Sequence, residues 1–115
     1  MLVSLARIDC ANIKDWDSFH DEFYRVFAFP DFYGRNMDAW IDCMTCVDAP
    51  EDGMSGIHCE KDGFMTIELE NVNELRGDRL QYWEAIVDCV AFVNWRRTEN
   101  NGKPVLALSY YRTTN

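Results

Sequence analysis

The chain lacks any run of apolar residues that approaches the roughly 18 needed to span a membrane. Its start, MLVSLARIDC, has neither the basic first residues nor the small-residue cleavage site of a secretory signal, so we expect it to belong to the fold. Internal repeats, low-complexity stretches and linkers rich in proline or glycine are also missing. These absences predict a single soluble domain over residues 1–115.

Lysine and arginine are absent from residues 36–60, although this segment holds six acids. The formal net charge of the whole chain is −9, and most of it comes from this segment. Its acids are Asp38, Asp42, Asp48, Glu51, Asp52 and Glu60. With 48% hydrophobic and 14% aromatic residues, the chain is too apolar to be a disordered acidic tail. A polyanionic surface repels nucleic acids and anionic lipids and attracts basic partners. The alternative is a solvated acidic loop that only aids solubility.

Catalytic and cofactor motifs are also missing, since the sequence has no P-loop, no G-x-G-x-x-G and no Ser-His-Asp spacing. Five cysteines, an odd number, fit a reduced cytoplasmic protein better than a disulfide framework. Cys43, Cys46, His58 and Cys59 are ligand types that suit zinc, but the first two fall inside a predicted helix, so we expect no metal. We predict no enzyme activity and no cofactor. His20 is predicted to be solvated on the polar side of a helix.

Hydrophobic periodicity predicts the element order β-α-α-β-(α)-α-β. The predicted strands cover residues 1–8, 64–70 and 104–111, and the predicted helices cover 15–29, 37–47 and 78–100. Asp15 is the expected N-cap of the first helix, and pairs at Asn71/Glu74 and Asp78/Gln81 are expected to form capping boxes. Residues 48–63 are expected to be a loop excursion. Helical crossovers predict an α/β fold with a three-stranded parallel sheet and covering helices.

The second predicted helix carries two carboxylates on one face. Asp38 and Asp42 are four residues apart, Thr45 continues their row, and the apolar stripe that includes Trp40 and Met44 lies on the other side. Such an outward pair is either ordinary surface or a binding site for arginine and lysine. Acid–base catalysis is disfavoured because an open helix face offers no burial to tune a carboxylate.

The segment Phe29–Thr45, which reads FPDFYGRNMDAWIDCMT, resembles the hallmark segment of the barstar family. These are small bacterial inhibitors of secreted, barnase-type ribonucleases. The match is specific because a Tyr-Gly-x-Asn turn coincides with an Asp-Ala-x-x-Asp helix start. The resemblance implies a barstar-like fold and a cytoplasmic immunity protein of toxin–antitoxin type. Such a protein lays its second helix and the preceding loop over the basic active site of a barnase-like ribonuclease or related nuclease toxin.

The resemblance also implies which residues bind the partner. Asp42 takes the central position in the phosphate site, among basic side chains, and Asp38 pairs with a basic residue beside it. Phe32 lies against the active-site histidine region. The remaining implied partner-binding residues, in the loop and at the end of the helix, are Gly34, Asn36, Thr45 and Cys46.

This sequence departs from the family pattern at several positions. Ile41 and Val47 stand where the best-known member has tryptophans, Cys46 where it has glycine, and Arg35 where it has an acid. A cation at Arg35 is expected to weaken attraction to a basic site, which allows for a different cognate toxin. The late helix has no clear match for an additional acidic contact of the family. The alternative function is an acidic interaction module on the same fold with a non-nuclease partner.

Overall fold

A computed structural model describes residues 1–113 of the chain. Three strands and three α-helices alternate, linked in places by short 3₁₀ turns. Their bounds are β1 Leu5–Asp9, α1 Trp16–Phe27, α2 Met37–Thr45, β2 Met65–Glu70, α3 Leu80–Glu99 and β3 Leu106–Ser109. The strands form one parallel sheet in the order β1-β2-β3. The predicted α/β fold and parallel sheet are therefore confirmed.

The sheet has one buried and one open face. Ala6 of β1 is in register with Ile67 of β2, and both are buried. Arg7 is in register with Glu68, and their side chains form an ion pair of 2.9 Å on the opposite face. Successive side chains of a strand point to opposite faces, so this alternation places the core on one side of the sheet.

Aromatic side chains of α1 form the centre of the core and support α2. Phe19, Phe23 and Phe27 are fully buried, and the Phe23 ring meets that of Trp40 edge to face with centroids 5.5 Å apart. Burial of a side chain of this size stabilises the fold by roughly 1.5–3 kcal/mol. Trp40 and Met44 of α2 are likewise fully buried, which fixes this helix against the core.

The N-cap of α1 is the predicted Asp15, and the helix ends two residues before the predicted end at residue 29. The Asp15 carboxylate accepts a hydrogen bond from the Ser18 backbone N–H at 2.7 Å, and the Ser18 hydroxyl accepts one from the Asp15 N–H. Hydrogen bonds from Ser18, first of all that of its backbone N–H, lower the pKa of the Asp15 carboxyl. The helix ends at Phe27 with Ala28 as its C-cap, and the ring of Pro30 disfavours helical backbone at Phe29, the residue before it.

The prediction of two capping boxes before α3 is wrong, because neither forms. Asn71 adopts a left-handed backbone with φ of 56°, and its side-chain amide donates to Asp9 of β1 at 2.9 Å. Gln81 donates to the carbonyl of Asp78, and α3 begins at Leu80 after a 3₁₀ turn without a side-chain cap. Tertiary contact with β1 thus replaces the local cap that the sequence suggests.

His20 is buried, with 3% of its surface exposed, and not solvated as predicted. Its Nδ1 lies 2.6 Å from the hydroxyl of Tyr33, and Trp16 stacks beside it. Burial, with a smaller contribution from the Arg35 charge, lowers the pKa of His20. The loop before α2 folds back over α1 and covers this histidine, a contact that helical periodicity in α1 does not reveal.

The segment 48–63 lacks α-helix and strand, as expected, but it is anchored to the fold. The Gly56 N–H donates to the carbonyl of Phe27 at 2.9 Å, and the His58 N–H donates to that of Met1 at 2.9 Å. A Cβ atom on Gly56 would lie 2.6 Å from the Cβ of Ala28, so only glycine allows this close approach to the end of α1. Within residues 1–113, no helix has the length and apolar character to cross a membrane.

Candidate partner-binding surface

The loop between α1 and α2 presents one aromatic side chain to solvent. The Tyr33 N–H donates to the Pro30 carbonyl at 2.9 Å, which closes a turn. Phe29 and Tyr33 pack together with ring centroids 4.7 Å apart, and the Tyr33 hydroxyl meets His20. Phe32 lies between these anchored residues and remains 74% exposed. The loop therefore holds an apolar side chain at the surface on a fixed support.

The two carboxylates of α2 point away from the core, as the spacing predicts. The Asn36 side chain caps the helix by accepting the Ala39 N–H at 2.8 Å, which sets the first turn. Asp38 and Asp42 are exposed on one face, opposite the buried Trp40. Asp38 also lies in the first turn, where the helix dipole favours a negative charge.

An arginine of α3 reaches this acidic face. The Arg96 Nη2 lies 3.5 Å from the Asp42 Oδ1 and donates to the Thr45 Oγ1 at 2.6 Å. The Thr45 hydroxyl in turn donates to the Ile41 carbonyl, so it is hydrogen-bonded in both roles. The Asp42 side chain remains 62% exposed beside this cation. The sequence does not reveal this contact, because Arg96 lies 51 positions beyond Thr45. The one local signal is the position of Arg96 in the last turn of α3.

The next arginine pairs with a different acid of the same segment. Arg97 binds Asp48 through two hydrogen bonds of 2.9 and 2.8 Å and also donates to the Thr45 carbonyl. Asp48 accepts a further hydrogen bond from the Asp62 N–H at 3.1 Å. Burial alone raises the pKa of Asp48, but the hydrogen bonds and the Arg97 charge outweigh it, so the net shift is downward. Asp48 therefore joins the end of α2 to α3 instead of facing a partner.

Arg35 is held by α1. Its guanidinium donates to the Asp21 Oδ1 at 2.8 Å and to the Asp17 carbonyl at 3.0 Å, and its backbone φ is 55°. These contacts direct the positive charge towards the acids of α1. Because Asp21 compensates it, Arg35 weakens the attraction to a basic partner less than the sequence alone suggests.

The cysteines are not arranged as a metal site. Burial, together with a hydrogen bond to Asp52, raises the pKa of the Cys46 thiol to about 11, and burial likewise raises that of Cys43 to about 11. Both thiols are therefore protonated at neutral pH. The part of the chain that the structure describes contains no group of three or more His, Cys, Asp or Glu residues placed to hold a metal ion.

The implied partner-binding residues thus fall into two groups. Phe32, Gly34, Asn36, Asp38 and Asp42 are exposed along the loop and the outer face of α2. Thr45 and Cys46 are half-buried at the end of α2, where side chains of the same molecule already contact them.

A profile described as "Barstar (barnase inhibitor)" matches residues 3–108. The chain belongs to the barstar family. A curated relative from Bacillus subtilis (strain 168), named "Putative ribonuclease inhibitor YrdF", is 43% identical over 44 residues, which are 37% of this chain and 48% of that protein. The aligned part thus spans about half the length of the relative. The description of the profile names an inhibitor of barnase, and the printed name of the relative is that of a putative ribonuclease inhibitor.

Proposed function

We propose that this barstar-family protein is the immunity protein of a barnase-like ribonuclease or related nuclease toxin, and that it blocks the basic active site of that enzyme. The observation that carries the proposal is the exposed pair Asp38 and Asp42 on one face of α2. Phe32 flanks this pair on the preceding loop. The inhibition is steric and electrostatic, and no covalent bond of the inhibitor or the enzyme is made or broken.

A nuclease cleft is complementary to this surface because it binds phosphates. Two carboxylates fixed on one helix present negative charge as two phosphates do, and basic side chains of the cleft donate hydrogen bonds to them. Charges buried in a complex are tolerated only when the partner supplies such donors. Trp40 and Met44 fix α2 against the core, so this helix loses little conformational freedom on binding.

The net charge of −9 favours fast encounter with a basic enzyme. The barnase–barstar pair is the reference case for this effect, so its measured rates describe that pair and are not predictions for this chain. In a bacterium that makes the nuclease, the inhibitor acts in the cytoplasm, where its five free cysteines stay reduced.

Titration of barnase-type ribonucleases with the purified protein tests the proposal, with RNA cleavage as the readout. We expect at least one enzyme to be inhibited at or below micromolar protein. Asp42→Ala should weaken binding by at least about 2 kcal/mol, the scale of an interface hot spot. The exposed Glu84 of α3, about three turns before Arg96, provides the matched control. Glu84→Ala should bind as the wild type does.

Two results contradict the proposal. Absence of inhibition across the panel at micromolar protein removes the nuclease as partner and favours the alternative, an acidic interaction module with another protein. Unfolding of Asp42→Ala with unchanged affinity assigns that carboxylate to the fold instead of the interface. Urea unfolding of both variants distinguishes loss of binding from loss of structure.

A further inference from the structure

Arg96 connects the acidic face of α2 with the outer face of α3. Its guanidinium contacts Asp42 at 3.5 Å and Thr45 at 2.6 Å, and it lies 5.9 Å from the ring centroid of Phe92. An arginine over an aromatic ring gains a favourable cation–π interaction. The two helices therefore share one continuous surface, in which a cation separates carboxylates from aromatic rings.

Two aromatic side chains extend this surface along α3. Phe92 and Trp95 are 42% and 58% exposed, and their ring centroids lie 5.8 Å apart. The buried residues of α3 are Tyr82, Ile86, Val90 and Val93, which form the opposite face of the helix. Core packing thus does not explain the exposed pair. Aromatic residues and arginine are enriched where proteins bind each other and dominate the binding energy there.

Building on the proposed function, we propose that the two exposed rings and the cation of α3 extend the surface of α2 and determine which nuclease this protein binds. Phe92, Trp95 and Arg96 contact the same basic nuclease that binds Asp42. That nuclease places an apolar surface against the two rings and an acidic side chain opposite Arg96.

The position of Arg96 determines this partner chemistry. A protein that covers Asp42 also covers Arg96, because the two side chains are 3.5 Å apart. A guanidinium pressed against a wholly cationic cleft is repelled, and burial of its charge is costly without a matching acid. An acid at the edge of the phosphate site removes this cost. Arg96 therefore selects between nucleases that carry such an acid and nucleases that do not.

The test uses the barnase-type ribonuclease that the wild-type protein inhibits most strongly, with Kd measured by titration calorimetry. We expect Trp95→Ala and Phe92→Ala each to raise Kd about tenfold or more, and Arg96→Gln to raise it about fivefold, as truncated interface anchors do. Tyr111→Ala is the control, because Tyr111 is an aromatic residue beyond β3 that is 82% exposed, more than either ring of α3. This control should stay within about twofold of the wild type. Thermal unfolding checks that each variant is folded.

The outcomes separate this proposal from the function on which it rests. If Asp42→Ala weakens binding while the α3 variants bind as the wild type, the surface ends at α2 and the extension is wrong. Tighter binding by Arg96→Gln also overturns it, because the partner is then cationic at that point. A dimer in sedimentation velocity that Trp95→Ala dissociates, with nuclease binding unchanged, assigns the rings to a second copy and overturns it too. If no nuclease binds the wild type, the proposed function itself fails, and the extension with it.

Discussion

The acidic face of α2 and the segment 48–63 that follows it carry charge of the same sign, yet the fold treats them differently. Asp42 stays 62% exposed and only loosely approached by Arg96, at 3.5 Å. Asp48, six residues later, is 6% exposed and bound through both oxygens by Arg97. Two adjacent arginines of α3 thus contact two acids, one at the surface and one in the interior.

Burial decides what each contact contributes. A surface ion pair is worth about 0–1 kcal/mol because water and salt screen it. Removal of one partner from a buried pair leaves an uncompensated charge and costs far more. A count of acids along the sequence cannot distinguish the two cases. We therefore expect the face of α2 to govern binding and the junction at Asp48 to govern stability.

The largest expected effect on stability is that of Arg97→Ala. The substitution leaves the Asp48 carboxylate buried without its guanidinium, and we expect a loss of about 3–5 kcal/mol in the free energy of unfolding. Urea denaturation measures it. The neighbouring change Arg96→Ala should cost less than about 1 kcal/mol, since that arginine contacts an exposed acid. Equal losses for the two variants would remove the distinction between the two regions.

Gly56→Ala should produce the next largest loss, about 1–3 kcal/mol, because an added methyl group overlaps the side chain of Ala28. Gly34 is the matched control on the binding loop, where an added Cβ meets its nearest neighbour at an ordinary 3.4 Å. Gly34→Ala should leave thermal stability nearly unchanged. If Gly56→Ala is equally harmless, the segment 48–63 is not packed as closely against α1 as described.

A smaller effect is expected from pH. The pKa of Asp48 is lowered in the folded protein, so its pairing stabilises the fold above the pKa of an unfolded aspartate, about 3.9, and is lost as the pH falls through the folded value. The difference in unfolding free energy between the wild type and Asp48→Asn should therefore shrink as the pH falls from 7 to 3. A difference that stays constant with pH would show that the charge of Asp48 does not contribute.

The smallest effect is expected for the exposed acids of segment 48–63. Glu51 and Glu60 form no ion pair among the residues that the structure describes. Together, Glu51→Gln and Glu60→Gln should change stability by less than about 0.5 kcal/mol. They should slow association with the nuclease by roughly twofold to fivefold at low salt, with little change in dissociation. Stopped-flow kinetics at two salt concentrations measures this, and a changed dissociation rate would place these acids in the interface.

The sequence predicted those parts of the fold that depend on near neighbours. The cap at Asp15, the end of α1 before Pro30 and the outward face of α2 all follow from residues within a few positions of one another. The parallel sheet followed from the alternation of strands and helices. His20 was predicted wrongly because its burial depends on Tyr33, which the loop folds back over α1.

The sequence by itself determined that the chain has a parallel α/β fold and that one helix presents Asp38 and Asp42 away from the core. Only the tertiary structure decided which acids stay exposed to a partner, as Asp42 does, and which are buried in an ion pair, as Asp48 is. Arg97 lies 49 residues from Asp48, and Arg96 lies 51 residues from Thr45. Helical and strand periodicity carries no information over such separations. The packing of α3 against α2 brings the two arginines to the acidic segment. The burial of each ion pair then determines how much it contributes to stability.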